Sequence, residues 1–120
     1  VHELSICLSL LDQVTRIARE QRADAVERIL VRIGPLAGVE ASLLQHAWPL
    51  AAAGSSAADA ELLIEETAVR IACNDCGAES AAQPNRLLCT ACGSHRTRLI
   101  SGDELLLARL ELRIPDPPPA

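Results

Sequence analysis

Apolar and polar positions recur along this chain in two periods. Residues 4–22, LSICLSLLDQVTRIAREQR, place Leu4, Cys7, Leu8, Leu11, Val14 and Ala18 on one face, with Ile17 at its edge. Asp12, Arg16, Arg19 and Glu20 fall largely opposite. Spacing by three and four predicts an amphipathic helix. Residues 23–33, ADAVERILVRI, switch to period two. Ile29, Val31 and Ile33 face one way, and Arg28 and Arg32 the other with Leu30 between them, as in a half-buried strand. GPLAG is a turn, with Gly34 and Gly38 free to take positive φ. VEASLLQHAWPLAAA predicts a second helix with Leu43, Leu44, Ala47, Leu50 and Ala51 inward. Pro49 stands inside it, and an interior proline costs about 3 kcal/mol, so a bend or break is expected near Trp48.

GSSAADA reads as a loop and ELLIEETAVRI as a strand with Leu62 and Ile64 on one side. After a cysteine-bearing stretch and SGD, residues 104–114 alternate again. Leu106, Ala108, Leu110, Leu112 and Ile114 face one way; Leu105, Leu107, Arg109, Glu111 and Arg113 face the other. PDPPPA at 115–120 is expected to be an extended, disordered tail. The last strand has no partner close in sequence, so its simplest place is the sheet of the first half. The expected fold is α+β: two helices packed on a small three-stranded sheet, with an inserted module.

Composition narrows the function. The 120 residues suit one domain, or one domain with a small module. Net charge is −5, lysine is absent, and Trp48 is the only aromatic residue. A nucleic-acid surface needs basic and stacking groups, so nucleic-acid binding is not expected. No apolar run reaches transmembrane length, and no signal-peptide pattern precedes the first helix. The expected compartment is cytoplasmic, with no membrane partner.

In such a compartment paired cysteines bind metal more often than they form disulfides. Cys73 and Cys76 are separated by two residues, as are Cys89 and Cys92, and twelve residues lie between the pairs. Each pair can fold into a tight knuckle with both sulfurs aimed at one point. Gly77 and Gly93 follow the knuckles, where a left-handed residue closes the turn. Four thiolates saturate a tetrahedral zinc ion, so one structural zinc per chain is expected. A rubredoxin-like iron centre uses the same ligands. A thioredoxin-type site would need only one such pair, at a helix start. The module's own apolar residues, chiefly Leu87, Leu88 and Ile100, are too few to fold it without metal. His95 reads as an exposed polar residue beside a turn, with metal ligation as its alternative role, His46 as a surface or boundary residue, and Cys7 as a buried, unreactive thiol. Thr67–Ala72 and Leu99–Asp103 are expected to be linkers around the module.

The first residues, VHE, hold a second metal chemistry. A free amine on Val1, the amide nitrogen of His2 and its imidazole close a five- and a six-membered chelate ring. Glu3 can supply a fourth ligand. Such a nitrogen-rich set suits Ni(II) or Cu(II). From the residues alone, an incidental histidine beside a Glu3 that faces the helix dipole is the simpler reading.

The chain resembles the HypA/HybF family, nickel metallochaperones of [NiFe] hydrogenase maturation. HELSIC, RIGPLAGVE, ELLIEE, the double CxxC with CGS, and GDELLLARLEL carry the resemblance in this order, from residue 2 to about 114. It implies a nickel-binding α+β domain (1–68 and 103–114) around a zinc-ribbon domain (69–102). It implies Ni2+ as cargo at Val1, His2 and Glu3, and Zn2+ held by Cys73, Cys76, Cys89 and Cys92. The implied partners are a HypB-type GTPase and the hydrogenase large subunit; a homodimer is compatible with it. It implies no enzymatic activity. The family begins Met-His-Glu where this chain has Val1, which still leaves one residue before His2. Pro49 departs from a helix the family continues. The competing reading is a zinc-ribbon protein-interaction adaptor with no metal delivery.

Overall fold

The computed structural model describes residues 3–116. The elements run α1 (Glu3–Glu20), β1 (Ala25–Ile33), α2 (Ala41–Ala52), β2 (Glu61–Glu66), β3 (Arg70–Cys73), β4 (Glu79–Ala81), β5 (Thr97–Ser101) and β6 (Leu105–Arg113). One three-stranded sheet has the order β2-β1-β6 and the other β4-β3-β5. The fold is α+β, as the periodicities predict, and the last strand does return to the first sheet. Val1, His2 and residues 117–120 lie outside the described residues, so the Val1 and His2 expectations and most of the tail expectation have no structural counterpart here.

The chain divides into two compact units. The first comprises Val1–Val31, Glu40–Ile64 and Leu107–Ala120; the second comprises Arg32–Val39 and Glu65–Leu106. In the first unit, α1 buries Cys7, Leu10, Val14 and Ala18. Leu4 and Leu8, expected inward, are 46% and 49% exposed. Both lie on a stripe one step round the helix from the buried one. Helix α1 ends at Glu20 because Arg22 adopts φ 58°. There the Ala23 amide bonds the Ala18 carbonyl at 2.9 Å and the Arg22 amide bonds the Arg19 carbonyl at 3.1 Å. These are the paired bonds of a Schellman cap, formed here without glycine.

Helix α2 is unbroken through Pro49 to Ala52, so of the bend or break expected near Trp48 the break does not occur. Pro49 sits in the final turn, where it forfeits the bond to the Gln45 carbonyl with only three helical residues beyond it. Leu44, Trp48, Ala51 and Ala52 are buried, whereas Leu43 and Leu50, expected inward, are 45% and 75% exposed. The Cys7 thiol rests 3.5 Å from the Leu44 carbonyl, joining the two helices. Gln45 donates to the Leu62 carbonyl at 2.7 Å, joining α2 to β2. In β1, Val26, Ile29 and Val31 are buried and Arg28 is exposed, as alternation predicts from Ile29 onward. Each such aliphatic side chain contributes about 1.5–3 kcal/mol on burial. On the exposed face Arg28 reaches Glu61 and Glu111 at 3.4 and 3.5 Å. Exposed pairs of this kind are worth little individually, ~1 kcal/mol or less. No residue of β6 is fully buried.

In the second unit, Ile33, Val69, Ile71, Ala72, Cys73 and Cys89 form the core. Leu87 and Leu88 are only half-buried and Ile100 is 45% exposed, so the small core expected from them lies elsewhere. The expected strand over residues 61–71 is two strands, β2 and β3, broken at Thr67–Val69. The expected linkers are partly strand as well: Arg70 pairs with Ser101 and Ile71 with Leu99.

The break at Thr67 has a local cause. The Thr67 amide bonds the Ile33 carbonyl at 3.0 Å, and its hydroxyl donates to the Glu104 carboxylate. That carboxylate also accepts the Gly102 amide at 3.0 Å. The Gly34 and Leu36 amides bond the Glu104 and Gly102 carbonyls at 2.8 and 2.7 Å. Gly34 therefore has a packing role rather than the expected positive φ. A Cβ on it would overlap the Gly102 carbonyl group. Two separated motifs of the sequence, RIGPLAG and SGDE, meet at this crossing.

Two expectations follow for this crossing. Gly34→Ala should cost the upper end of about 1–3 kcal/mol or more, because backbone must move. Gly54→Ala, at φ 77° in open space, should cost only about 1–2 kcal/mol. Urea unfolding of the two variants gives the ranking. Glu104 is held below its usual carboxylate range by the Thr67 hydroxyl first and the Gly102 amide next. A lowered folded pKa adds stability above the unfolded value, about 4.3, and loses it as pH falls through the folded value. Glu104→Gln should thus melt below wild type at pH 7, with the gap closing below about pH 4. A gap independent of pH rules this linkage out.

Candidate metal centre

Cys73 ends β3, and Cys89 follows the bridge between Gln83 and Arg86. The two CxxC turns are built alike. The Cys73 amide bonds the Ala78 carbonyl at 2.9 Å and the Gly77 amide returns to the Cys73 carbonyl at 3.0 Å. In the second turn the Cys89 amide bonds Ser94 at 3.0 Å and the Gly93 amide returns to Cys89 at 2.8 Å. Gly77 and Gly93 both take φ 77°, as the spacing predicts. No side chain crowds either glycine, so their requirement is conformational.

The four sulfurs lie within 4.8 Å of one another, with no disulfide. Cys73 and Cys92 approach to 3.6 Å, as do Cys76 and Cys89. A tetrahedral zinc with Zn–S of about 2.3 Å needs sulfurs about 3.8 Å apart, so the donor set fits such an ion closely. Cys73 and Cys89 are each 3% exposed. Cys76 and Cys92 are exposed. Burial and hydrogen bonding thus distinguish the first cysteine of each knuckle from the second.

The thiol protons follow the same division. The Cys76 amide, then that of Asp75, outweighs desolvation and brings Cys73 down to about 7. The Cys92 amide lowers Cys89 in the same way. Amides of Ala78 and Ser94 also favour the thiolates of Cys76 and Cys92, but the facing sulfurs and desolvation prevail. Cys76 is held up, and Cys92 is pushed up to about 12. Four adjacent thiols do not all ionise unaided; a divalent cation held here would take the place of the shared protons.

His95 is exposed and stands outside the cysteine cluster, and His46 is exposed with its ring 2.8 Å from the Ser42 carbonyl. Cys7 is fully buried, and burial, then the Glu3 carboxylate one turn away, pushes its thiol up. Sequence reasoning did not single out Asp75. Its carboxylate accepts the Ser94 hydroxyl and lies 3.7 Å from Arg96, bridging the knuckles. Nothing in local spacing signals this, because the partners lie 19 and 21 positions away.

Among the described residues, no helix is long and apolar enough to cross a membrane. The family model described as hydrogenase/urease nickel incorporation, metallochaperone, hypA, matches residues 1–112. A hydrogenase maturation factor HypA of Nitrosospira multiformis is 44% identical over 112 residues, covering 93% of this chain and 97% of its own. The HypA of Aquifex aeolicus is 42% identical over 114 residues, covering 95% and 99%. The solution structure of the Ni metallochaperone HypA from Helicobacter pylori superposes with TM-score 0.72 at 27% identity, covering 96% of this chain and all of that one. The chain therefore belongs to the HypA family of nickel-incorporation metallochaperones for hydrogenase maturation, a family of maturation factors rather than enzymes.

Proposed function

We propose that the chain carries Ni(II) at its Val1-His2-Glu3 segment and passes it to the [NiFe] hydrogenase large subunit. In this reading the transfer is assisted by a HypB-type GTPase, in the cytoplasm, with no part for nucleic acid or membrane. A homodimer is compatible with the same scheme. A structural zinc ion, held by Cys73, Cys76, Cys89 and Cys92, shapes the ribbon domain 69–102, and 1–68 with 103–114 forms the nickel domain.

The observation that carries the nickel reading is the family match, which runs from the His2-Glu3 segment through the double CxxC. For zinc the support is the closed set of four converging thiols. Four thiolates leave no open coordination position, which suits a resident ion and not a catalytic one. A nitrogen-rich terminal segment differs in kind from that set and suits a tetragonal Ni(II).

Nickel titration of zinc-loaded protein with the natural start should show a single nickel ion per chain. His2→Ala should abolish that binding while zinc content is unchanged. If His2→Ala binds nickel as wild type does, the cargo site lies elsewhere.

Zinc has its own test. Metal analysis of purified protein should find a single zinc ion per chain, and Cys89→Ser should lose it. Removing zinc with a strong chelator should abolish amide-exchange protection in β3, β4 and β5 and spare α1 and α2. A coloured, iron-bearing protein would contradict the zinc assignment.

A further inference from the structure

The cysteine cluster is asymmetric. Cys73 and Cys89 are buried; Cys76 and Cys92 face solvent. An incoming chelator or acceptor therefore meets Cys76 and Cys92 first. Asp75 directly precedes Cys76, and Ser94 stands two residues after Cys92. Apart from the thiols themselves, the side-chain hydrogen bond joining one knuckle to the other runs from the Ser94 hydroxyl to the Asp75 carboxylate. The Arg96 amide donates to the Ser94 hydroxyl oxygen at 3.0 Å, which orients its proton toward Asp75. The Arg96 guanidinium lies 3.7 Å from the same carboxylate.

We propose that Asp75 is a positioning residue of the metal centre, latching the two knuckles together across the solvent-facing ligands Cys76 and Cys92 and thereby slowing metal loss. The proposal rests on the zinc reading above. Electrostatics sets a sharp alternative. A zinc ion with four thiolates carries a net charge of −2, and a nearby carboxylate repels it. Were charge dominant, removing Asp75 would tighten the site. As a latch, removing it loosens the site, because the second knuckle loses its side-chain tie to the first. Local geometry favours the latch: a hydroxyl and a guanidinium already compensate the carboxylate.

The experiment follows zinc transfer from the zinc-loaded full chain to a metallochromic chelator. Outer-shell partners of metal ligands typically matter by about 10–100-fold. Asp75 is 43% exposed, so solvent screening places the expected acceleration for Asp75→Ala near the low end, about 10-fold. Ser94→Ala should match it, and the double variant should be no faster than either single one. Asp75→Asn, which still accepts the Ser94 hydroxyl, should recover most of the wild-type rate. The cobalt-substituted variants should keep the tetrahedral thiolate absorption of wild type, which separates a latch from unfolding of the module. Zinc release from Asp75→Ala at or below the wild-type rate overturns the proposal. A chain that purifies with iron sinks the zinc reading, and the same comparison on cobalt-loaded proteins still decides the latch.

Discussion

The second half of the molecule depends on the convergence of four sulfurs within 4.8 Å. Its apolar core is small, and two of its buried side chains are the cysteines Cys73 and Cys89. Packing of that size offsets little of the chain entropy lost over the roughly fifty residues of the unit, at about 1–2 kcal/mol per residue for backbone alone. Small modules of this kind draw their folding energy from the metal. The hairpins can therefore be short, β4 being three residues long, because the knuckles and not the strands close the structure.

The first half rests on a different footing. Its core combines two helix stripes, one strand face and Trp48, with no buried charged or polar residue among those described. Helix periodicity located both helices but misjudged which residues point inward. Leu4, Leu8, Leu43 and Leu50 have the spacing of a buried face, yet each lies on the flank of the stripe that packs. Leucine on a flank is common, since folded surfaces are largely apolar anyway. Only a neighbour's position distinguishes flank from centre, and no single sequence carries that. For a related reason Pro49 does not break its helix: it stands in the last turn, so little helix lies beyond it to be displaced.

The convergence of the four cysteines was legible because its information is local. Two residues between cysteines and a following glycine define a turn, and the same rule written twice defines a site. The crossing at Gly34, Thr67, Gly102 and Glu104 was not legible, although every member stands in a motif quoted from the sequence. Its long-range bonds join positions 34 to 70 residues apart in the chain, and no periodicity spans that distance. Gly34 illustrates the limit: a glycine before proline looks like a turn residue, and its actual constraint is a carbonyl group from Gly102.

The proposed division of labour between metals follows from donor chemistry. Intrinsic affinity rises from nickel to copper and differs modestly between nickel and zinc, so affinity alone cannot keep cargo and structural ion apart. Donor type and coordination number can. Four thiolates at tetrahedral separation suit zinc and leave no vacancy for exchange. A terminal set of nitrogens favours a square geometry that zinc gains nothing from. The two sets also differ in how they release metal. A closed cluster must break a ligand first, with Cys76 and Cys92 the reachable ones, whereas a terminal chelate can unwrap from one end. In the proposed scheme, metal retention in the ribbon and metal release at the terminus would follow from where each donor set sits in the chain.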